Sequence, residues 1–188
     1  MPLNVFSKQI RQAGKDLIQA SRNSLDWYKE KVTGIVKKDP SKLFQKNSMP
    51  KIGHMFIFVY DAKYKETLPF FDAFPLVIPI EFYQNGFLGL NLHYLEPSKR
   101  TALLNALKDL ASDKTKTENK KLNISYELLA RYASQFPGHE KCVKRYLYGH
   151  VRTSFHEVDY TDWDKVSLLP SANWKVNPKY SGPPPYKV

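Results

Sequence analysis

Five acidic side chains border the apolar segments in the middle of the chain, and carboxylates of this kind can bind divalent metal ions. They are Asp61, Asp72, Glu81, Glu157 and Asp159. Gathered in one place, they would form the metal-dependent site of a nuclease. They fall at predicted strand ends or in predicted loops, where acidic residues are common. The nuclease is therefore the alternative and not the prediction.

The motifs of other enzyme classes are missing from the sequence. The chain has no Gly-rich phosphate loop, no HExxH, no CxxC and no GxSxG. The five histidines have no metal-ligand spacing among them: His54, His93, His139, His150 and His156. His93 lies in a predicted strand and is expected to be satisfied within the sheet, with pairing to His54 or His156 as the alternative. The sequence predicts neither an enzyme nor a cofactor.

Cys142 is the only cysteine, so the chain cannot form an intramolecular disulfide. This fits a protein assembled in a reducing cytoplasm. The neighbouring Lys141, Lys144 and Arg145 would lower the pKa of a thiol. No base or motif for nucleophilic catalysis accompanies it, so we expect a small buried side chain.

The basic charge of the chain is concentrated on its two flanks. The net charge is +11, made up of +6 over residues 1–50, −2 over 51–97 and +7 over 98–188. This distribution favours flanks that contact an anionic partner, with a solvated surface as the alternative. No apolar run reaches the ~20 residues of a membrane span, and none forms a signal peptide. We expect no membrane partner.

Basic residues interleaved with Tyr and Trp suit contacts to a nucleic-acid backbone and stacking on bases, although the pattern is not specific. The first candidate patch is one side of a helix predicted over residues 139–150 and its continuation. It consists of Lys141, Lys144, Arg145 and Arg152. The predicted N-terminal helix adds Lys8, Arg11, Lys15 and Arg22.

The remaining elements are organised around the apolar segment 51–95. Its aromatic and β-branched runs Met55–Tyr60, Leu76–Tyr83 and Phe87–Leu95 predict strands. Gln84-Asn85-Gly86 predicts a hairpin turn, because Asn-Gly tolerates positive φ at both central positions. Pro79 predicts either an edge strand or a bulge. The alternation over Val151–Tyr160 predicts a fourth strand.

Periodicity predicts helices on both sides of the sheet. One long amphipathic helix is predicted over 5–36, bent or split near Ser21–Ser24, with Lys37–Pro50 as a linker. It either leaves the sheet as an arm or folds back across it. Further helices are predicted over 99–111, 123–136 and 139–150, with a loop at 112–121 and a short helical piece before Pro170. Residues 171–188 are rich in proline and predict an extended segment.

The predicted fold class is α+β. It consists of a small curled antiparallel β-sheet (a partial barrel) with packed helices, a long N-terminal helical arm and an extended Pro-rich C-terminal arm. The predicted divisions are residues 1–50 for the N-terminal arm and linker, 51–170 for the core and 171–188 for the C-terminal arm. Two arms on a small core are typical of a subunit in a larger assembly.

The run MFIFVYDAKYKETLPFFDAFPLVIPIEFYQNGFLGLNLHYL, with KLNISYELL, KRYLYGHVRTSF and the segment from Trp163 to Pro170, resembles a family of virion structural proteins from tailed bacteriophages. These are phages of the T-even myovirus type, and related chains are labelled DNA end protector protein. The resemblance covers about residues 20–175. It carries no functional residues over to this chain.

The resemblance implies a late virion protein of the head or neck that binds the end of the packaged genome and shields it from host exonuclease. It implies assembly in the host cytoplasm, with other phage structural proteins and double-stranded DNA ends as partners in a symmetric multi-chain assembly. The alternative is an adaptor of the neck, tail or baseplate that makes no DNA contact.

Overall fold

The computed structural model of the protein describes residues 3–37, 49–67, 70–95, 97–112, 115–117, 120, 127, 129, 142–169 and 175–176. For residues 3–11, 70, 110–112 and 175–176 it describes the backbone. The labelled elements are α1 (Leu3–Lys37), β1 (Met55–Ile57), β2 (Phe70–Phe71), β3 (Leu76–Tyr83), β4 (Gly86–Asn91), α2 (Pro97–Ser112), β5 (Val143–Leu147), β6 (His156–Val158), α3 (Trp163–Ser167) and β7 (Lys175–Val176). The α+β class is confirmed.

Five strands form one antiparallel sheet in the order β5-β4-β3-β1-β6. The predicted fourth strand therefore exists as β6, which pairs with β1 through Phe56 and Glu157. An isolated bridge between Tyr60 and Val151 extends this pairing beyond the two strands. The sheet is open and does not close into a barrel, since β5 and β6 end it on opposite sides in the described part of the chain.

The predicted hairpin joins β3 to β4, but its turn is one residue shorter than predicted. Tyr83 pairs with Gly86, so the turn is Gln84-Asn85 and Gly86 is the first residue of β4. Among the described glycines, positive φ is found at Gly53 (81°) and not at Gly86. The strand register shifts between Pro79 and Glu81, which confirms the predicted bulge. β3 lies in the interior of the sheet, so the edge-strand alternative is wrong.

The helix predicted over residues 139–150 is wrong. Val143–Leu147 is β5, and it pairs with β4 from Leu90↔Val143 to Gly86↔Leu147. Tyr148–His150 forms a single 3₁₀ turn. The sequence KCVKRYLY has a helical arrangement of apolar residues. Its extended conformation is stabilised instead by hydrogen bonds to the edge of β4, and this pairing outweighs the local preference. Of the predicted helical segment, Cys142 is helical and Lys141 lies outside the described residues.

Side chains from the two faces of the sheet enter two separate apolar clusters. The larger cluster includes Met55, Ile57, Ile78, Leu90 and Leu103 and lies between the sheet and the helices. The smaller cluster, on the opposite face, is mainly aromatic and includes Phe56, Phe58, Phe87 and Tyr146. Its rings meet mostly edge to face, as Phe58 and Tyr146 do at 5.4 Å. The alternation in β1 sends neighbouring residues to different cores.

The N-terminal helix is one continuous element, and its two halves have different surroundings. The predicted split at Ser21–Ser24 is wrong, because α1 is unbroken there and Ser24 Oγ donates to the Ala20 carbonyl (2.9 Å). The alternative of a bend at this position stays a prediction. Trp27 and Ile35 are buried in the larger cluster. Leu17 and Ile18 are 61% and 56% exposed. The second half thus lies on the core, and the stretch around Leu17 projects from it.

Arg100 joins α2 to α3 and to Leu169 just after it, through a side chain that is completely buried. It donates to the carbonyls of Val166 (3.0 Å), Leu169 (2.7 Å) and Leu95 (2.9 Å). Burial lowers the pKa of the guanidinium to about 10. Three backbone carbonyls thus accept from the two Nη atoms in place of a carboxylate, while Nε is buried without a partner among the described residues.

The rest of the fold agrees with the predicted pattern where the structure describes it. α2 buries Leu103, Leu104 and Leu107, as predicted, and Asp159 Oδ1 caps the turn into α3. β2 in the loop before β3 pairs with β7. The predicted helix 123–136 is represented by Glu127 and Leu129, which are both helical. The linker, the loop at 112–121 and the C-terminal segment lie mostly outside the described residues.

Candidate functional site

A cavity of about 320 Å³ opens on the aromatic face of the sheet, between β5 and the loop that follows Tyr60. We call it the tyrosine cavity. Its aromatic walls are Tyr60, Tyr64, Phe71, Tyr94 and Tyr146. Strand β5 supplies one wall of the cavity through Lys144, Arg145, Tyr146 and Leu147.

Two lysines line the tyrosine cavity, and each lies against an aromatic ring. Lys144 Nζ is 5.0 Å from the centre of the Tyr94 ring, and Lys63 Nζ is 5.1 Å from that of Tyr64. Neither lysine has an ion pair within the part of the chain that the structure describes. Burial lowers the pKa of Lys144. Within the described residues, the two lysines therefore offer positive charge to the cavity without an ion pair of their own.

A buried polar network forms the inner end of the cavity. Asp72 Oδ2 accepts from Asn91 Nδ2 at 3.0 Å and lies 2.7 Å from His93 Nδ1. Asp72 Oδ1 accepts from the backbone N–H of Phe74 (3.1 Å). Burial raises the pKa of Asp72, but the charge of His93 and these hydrogen bonds outweigh it, and the pKa lies below its ordinary value. His93 is thus satisfied, as predicted, but it lies in the 3₁₀ turn after β4 and not in a strand. Its partner is a carboxylate and not another histidine.

A second charge cluster lies beside the cavity at Asp61. Its carboxylate accepts from Lys65 Nζ (2.7 Å) and from an Arg152 guanidinium nitrogen (3.0 Å). These two hydrogen bonds lower the pKa of the Asp61 carboxyl to about 2. One carboxylate thus holds two cations, and the charge of Glu66 also acts on Lys65.

The residues of the predicted basic patch do not form one surface in the described part of the chain. Lys144 and Arg145 both line the cavity. The Arg145 guanidinium lies 4.4 Å from the centre of the Tyr83 ring and donates to Asn85 Oδ1 (2.7 Å). Arg152 is held by Asp61. Lys15 and Arg22 are exposed on α1 and are not among the described residues that line the cavity. Lys141 and the side chains of Lys8 and Arg11 lie outside the described part.

The five acidic residues do not gather at a metal site. No three His, Cys, Asp or Glu side chains come together as metal ligands in the described ranges. Glu157 contacts His54 (2.7 Å), Glu81 accepts from the Tyr83 hydroxyl (2.7 Å) and Asp159 caps its turn. The nuclease alternative therefore has no metal site in this part of the chain. No helix of the described chain is long and apolar enough to cross a membrane.

The sequence interpretation did not single out Lys63, Tyr64 or Tyr94. Lys63 and Tyr64 are adjacent in the run DAKYKE, and this alternation of cation and tyrosine in a surface loop was the available signal. Tyr94 is brought to the cavity by the 3₁₀ turn after β4, which only the fold reveals. Cys142 is buried, as predicted, and its thiol donates to the Tyr94 carbonyl (3.2 Å).

The fold and site define a basic α+β protein whose surface places unpaired cations beside tyrosine rings, a combination suited to anionic partners. The chain belongs to the family of the phage T4 terminal DNA protecting protein, whose family profile matches residues 1–182. The chain is thus a bacteriophage protein, as the resemblance implied. No curated protein and no solved structure matches it.

Proposed function

We propose that this protein binds the ends of the packaged phage genome and protects them from exonucleases. The observation that carries the proposal is membership, over residues 1–182, of a family described as terminal DNA protecting. We place the protein in the virion, in the head or neck region, after assembly in the host cytoplasm. Other phage structural proteins in a symmetric assembly are the proposed neighbours.

The net charge of the chain supports contact with DNA. The chain carries a net charge of +11, and phosphate contacts by lysine and arginine supply most of the affinity of proteins that bind DNA without reading sequence. The candidate residues within the described part are Lys15, Arg22, Lys144, Arg145 and Arg152. Lys63 joins them because it is exposed beside the tyrosine cavity.

The experiment compares one linear duplex with the same duplex closed into a circle. The full chain is expected to bind the linear form more tightly and to slow its digestion by an exonuclease. Affinity should fall steeply with salt and show no base preference. Changing Lys144 and Arg145 together to Gln should reduce the salt slope by up to about two phosphate contacts. Lys29→Gln on α1, which pairs with Asp26, is the control.

Equal binding to both forms would show that the protein does not recognise ends. No binding at about 50 mM salt would contradict any DNA contact, because electrostatic binding is strong at that ionic strength. Either result would overturn the proposal.

The second candidate function is an adaptor of the neck, tail or baseplate without DNA contact. The exposed pair Leu17 and Ile18 on the projecting part of α1 favours it, because neighbouring apolar side chains on a surface helix often mark a partner contact. Leu17→Ser with Ile18→Ser is expected to abolish incorporation into particles if α1 docks on another subunit. Unchanged incorporation of the double variant would remove this support.

A further inference from the structure

We propose that the tyrosine cavity holds the terminal nucleotide of a DNA strand, with its base unpaired and its phosphate at the two cavity lysines, Lys63 and Lys144. This inference rests on the proposed function, and it names the part of the DNA end that is bound. The cavity volume of about 320 Å³ lies near the lower limit of pockets that bind small molecules, which is roughly 300 Å³.

The walls of the cavity suit the flat face of a base. Tyr64 and Tyr94 both line it, and Tyr64 is 59% exposed, so its ring is accessible from solvent. Aromatic rings stack on any base because every base has a π-face. Exposed tyrosine at the entrance and partly buried tyrosine further in would hold a base that enters from outside.

The cations of the cavity suit the phosphate of the same nucleotide. Lys63 is exposed and Lys144 is half-buried, and the described chain supplies neither with a carboxylate partner. Lys144 is moreover partly desolvated, which lowers its pKa and favours an anion beside it. Asp72 also lines the cavity, and its negative charge would repel a phosphate. Both of its oxygens, however, already accept hydrogen bonds, one from Phe74 and the other from Asn91.

The inner end of the cavity has little capacity to distinguish bases. Asn91 Nδ2 donates to Asp72 and to the Tyr146 hydroxyl (3.0 Å each), and Asn91 Oδ1 accepts from the His93 backbone N–H (2.9 Å). Both N–H donors of this amide are therefore used within the protein. We infer a cavity that accepts any base, since stacking on tyrosine does not depend on base identity.

A cavity of this kind would recognise a DNA end because a terminal base costs less free energy to unstack than an interior one. Taking a base out of a duplex interior breaks its pairing and both of its stacking contacts, and the cost is lowest for a base that is already unpaired. A terminal base has a neighbour on one side only and frays readily. Holding it in the tyrosine cavity would distinguish ends from interior DNA and would withhold the terminal nucleotide from an exonuclease.

The test uses duplexes with 2-aminopurine as the terminal nucleotide of either the 3′ or the 5′ strand, or at an interior position. The full chain is expected to quench one terminal probe and leave the interior probe unchanged, and the quenched terminus identifies the strand. Tyr64→Ala should weaken this binding about 5- to 150-fold, the effect of losing one stacking ring. Tyr160→Ala is the matched control, since Tyr160 is 57% exposed and does not line the cavity.

A titration with deoxyadenosine 5′-monophosphate provides an arm that does not need a duplex. Backbone amide signals of Lys63, Tyr64 and Lys144 should shift in the wild type, and less in Tyr64→Ala. Inorganic phosphate should produce smaller shifts at higher concentration. Equal responses to phosphate and nucleotide would overturn the stacking of a base.

The outcomes separate this inference from the proposed function. Binding of duplex ends with identical quenching in the wild type and Tyr64→Ala would overturn the cavity assignment and leave end protection intact. If the protein binds no duplex, the proposed function is wrong, and the nucleotide titration alone decides whether the cavity takes a nucleotide. Absence of any shift there would overturn the cavity assignment as well.

Discussion

Gly86 faces the backbone carbonyl of Tyr146 across the β4–β5 ladder at a separation that leaves no room for a side chain. A Cβ atom at Gly86 would overlap the carbonyl oxygen of Tyr146 and approach Cα of Leu147 to 3.1 Å. The glycine is thus required by the closeness of two strands and not by an unusual φ. Arg145 and Asn85 close the same corner with their hydrogen bond of 2.7 Å.

Gly86→Ala is therefore expected to destabilise the fold by about 1–3 kcal/mol, because β5 must move away from β4 to admit the methyl group. The free energy of unfolding from urea denaturation is the measurement. Gly149→Ala is the matched control, since a Cβ there meets nothing within 4 Å. Equal losses in the two variants would contradict the steric explanation.

Arg100→Met is expected to cost about 2–4 kcal/mol of unfolding free energy. The substitution keeps an apolar stem but leaves the buried carbonyls of Val166, Leu169 and Leu95 without this donor. Removing the desolvated charge offsets part of that cost. Asn105→Met, at an exposed position of the same helix, is the control. A melting temperature equal to that of the wild type would show that the carbonyls find other donors.

Stability is expected to fall above pH 10, because several tyrosines hold their protons more tightly in the fold. Desolvation raises the pKa of the following tyrosines above the ordinary value of 10: Tyr28, Tyr60, Tyr94, Tyr146 and Tyr148. The folded state then binds more protons than the unfolded state, so the stabilisation present below pH 10 is lost as pH rises. Each fully buried hydroxyl contributes about 1 kcal/mol to the loss by pH 11.

Two cations oppose this trend. The pKa values of Arg100 and Lys144 are lowered by burial, so these groups release protons in the fold before they do so in the unfolded chain. The tyrosines outnumber them, and the net slope is expected to be negative. Urea denaturation at pH 9 and pH 11 measures it, and Tyr94→Phe should flatten it. A stability that is constant or rises over this interval would contradict the predicted burial of the hydroxyls.

Limited proteolysis should distinguish the two halves of α1. Trypsin is expected to cleave at Lys15 and Arg22 before Lys31, because the first two lie on the exposed half and Lys31 lies beside buried Trp27 and pairs with Asp162 (3.3 Å). The boundary predicted at residue 50, between the N-terminal arm and the core, stays a prediction. Cleavage at Lys15 and Arg22 alone would instead place the start of the resistant core inside α1. Simultaneous cleavage at all three sites would show that α1 is not held by the core.

Strands with dense apolar runs could be predicted from the sequence, whereas β5 could not. Met55–Ile57 and Leu76–Tyr83 carry enough β-branched and aromatic residues to indicate strands without knowledge of their partners. Val143–Leu147 has two basic residues among three apolar ones, a pattern that fits helix and strand equally. Its conformation depends on the open edge of β4, more than fifty residues earlier, and local periodicity contains no such information.

The same dependence explains the candidate site. Lys144 was singled out as one of several cations on a helix, and its inclusion in the cavity follows from the pairing of β5 with β4. Tyr64, Tyr94 and Asp72 come from three separate segments and meet only after the sheet has formed. The sequence carried the residue types of the cavity but not their assembly, because that is determined by pairing between distant strands.

The position of β1 in the sheet has a consequence for synthesis on the ribosome. One of its partners, β3, follows closely along the chain, but the other, β6, is far away: His54 and Glu157, which meet at that pairing, are 103 residues apart. At roughly 5–20 residues per second, the nascent chain waits about 5–20 s before β6 emerges. During that interval one edge of β1 is open beside Met55 and Phe56, and open apolar edges pair with other chains. Slower initiation should therefore raise the soluble yield more than slower elongation, which prolongs the exposure.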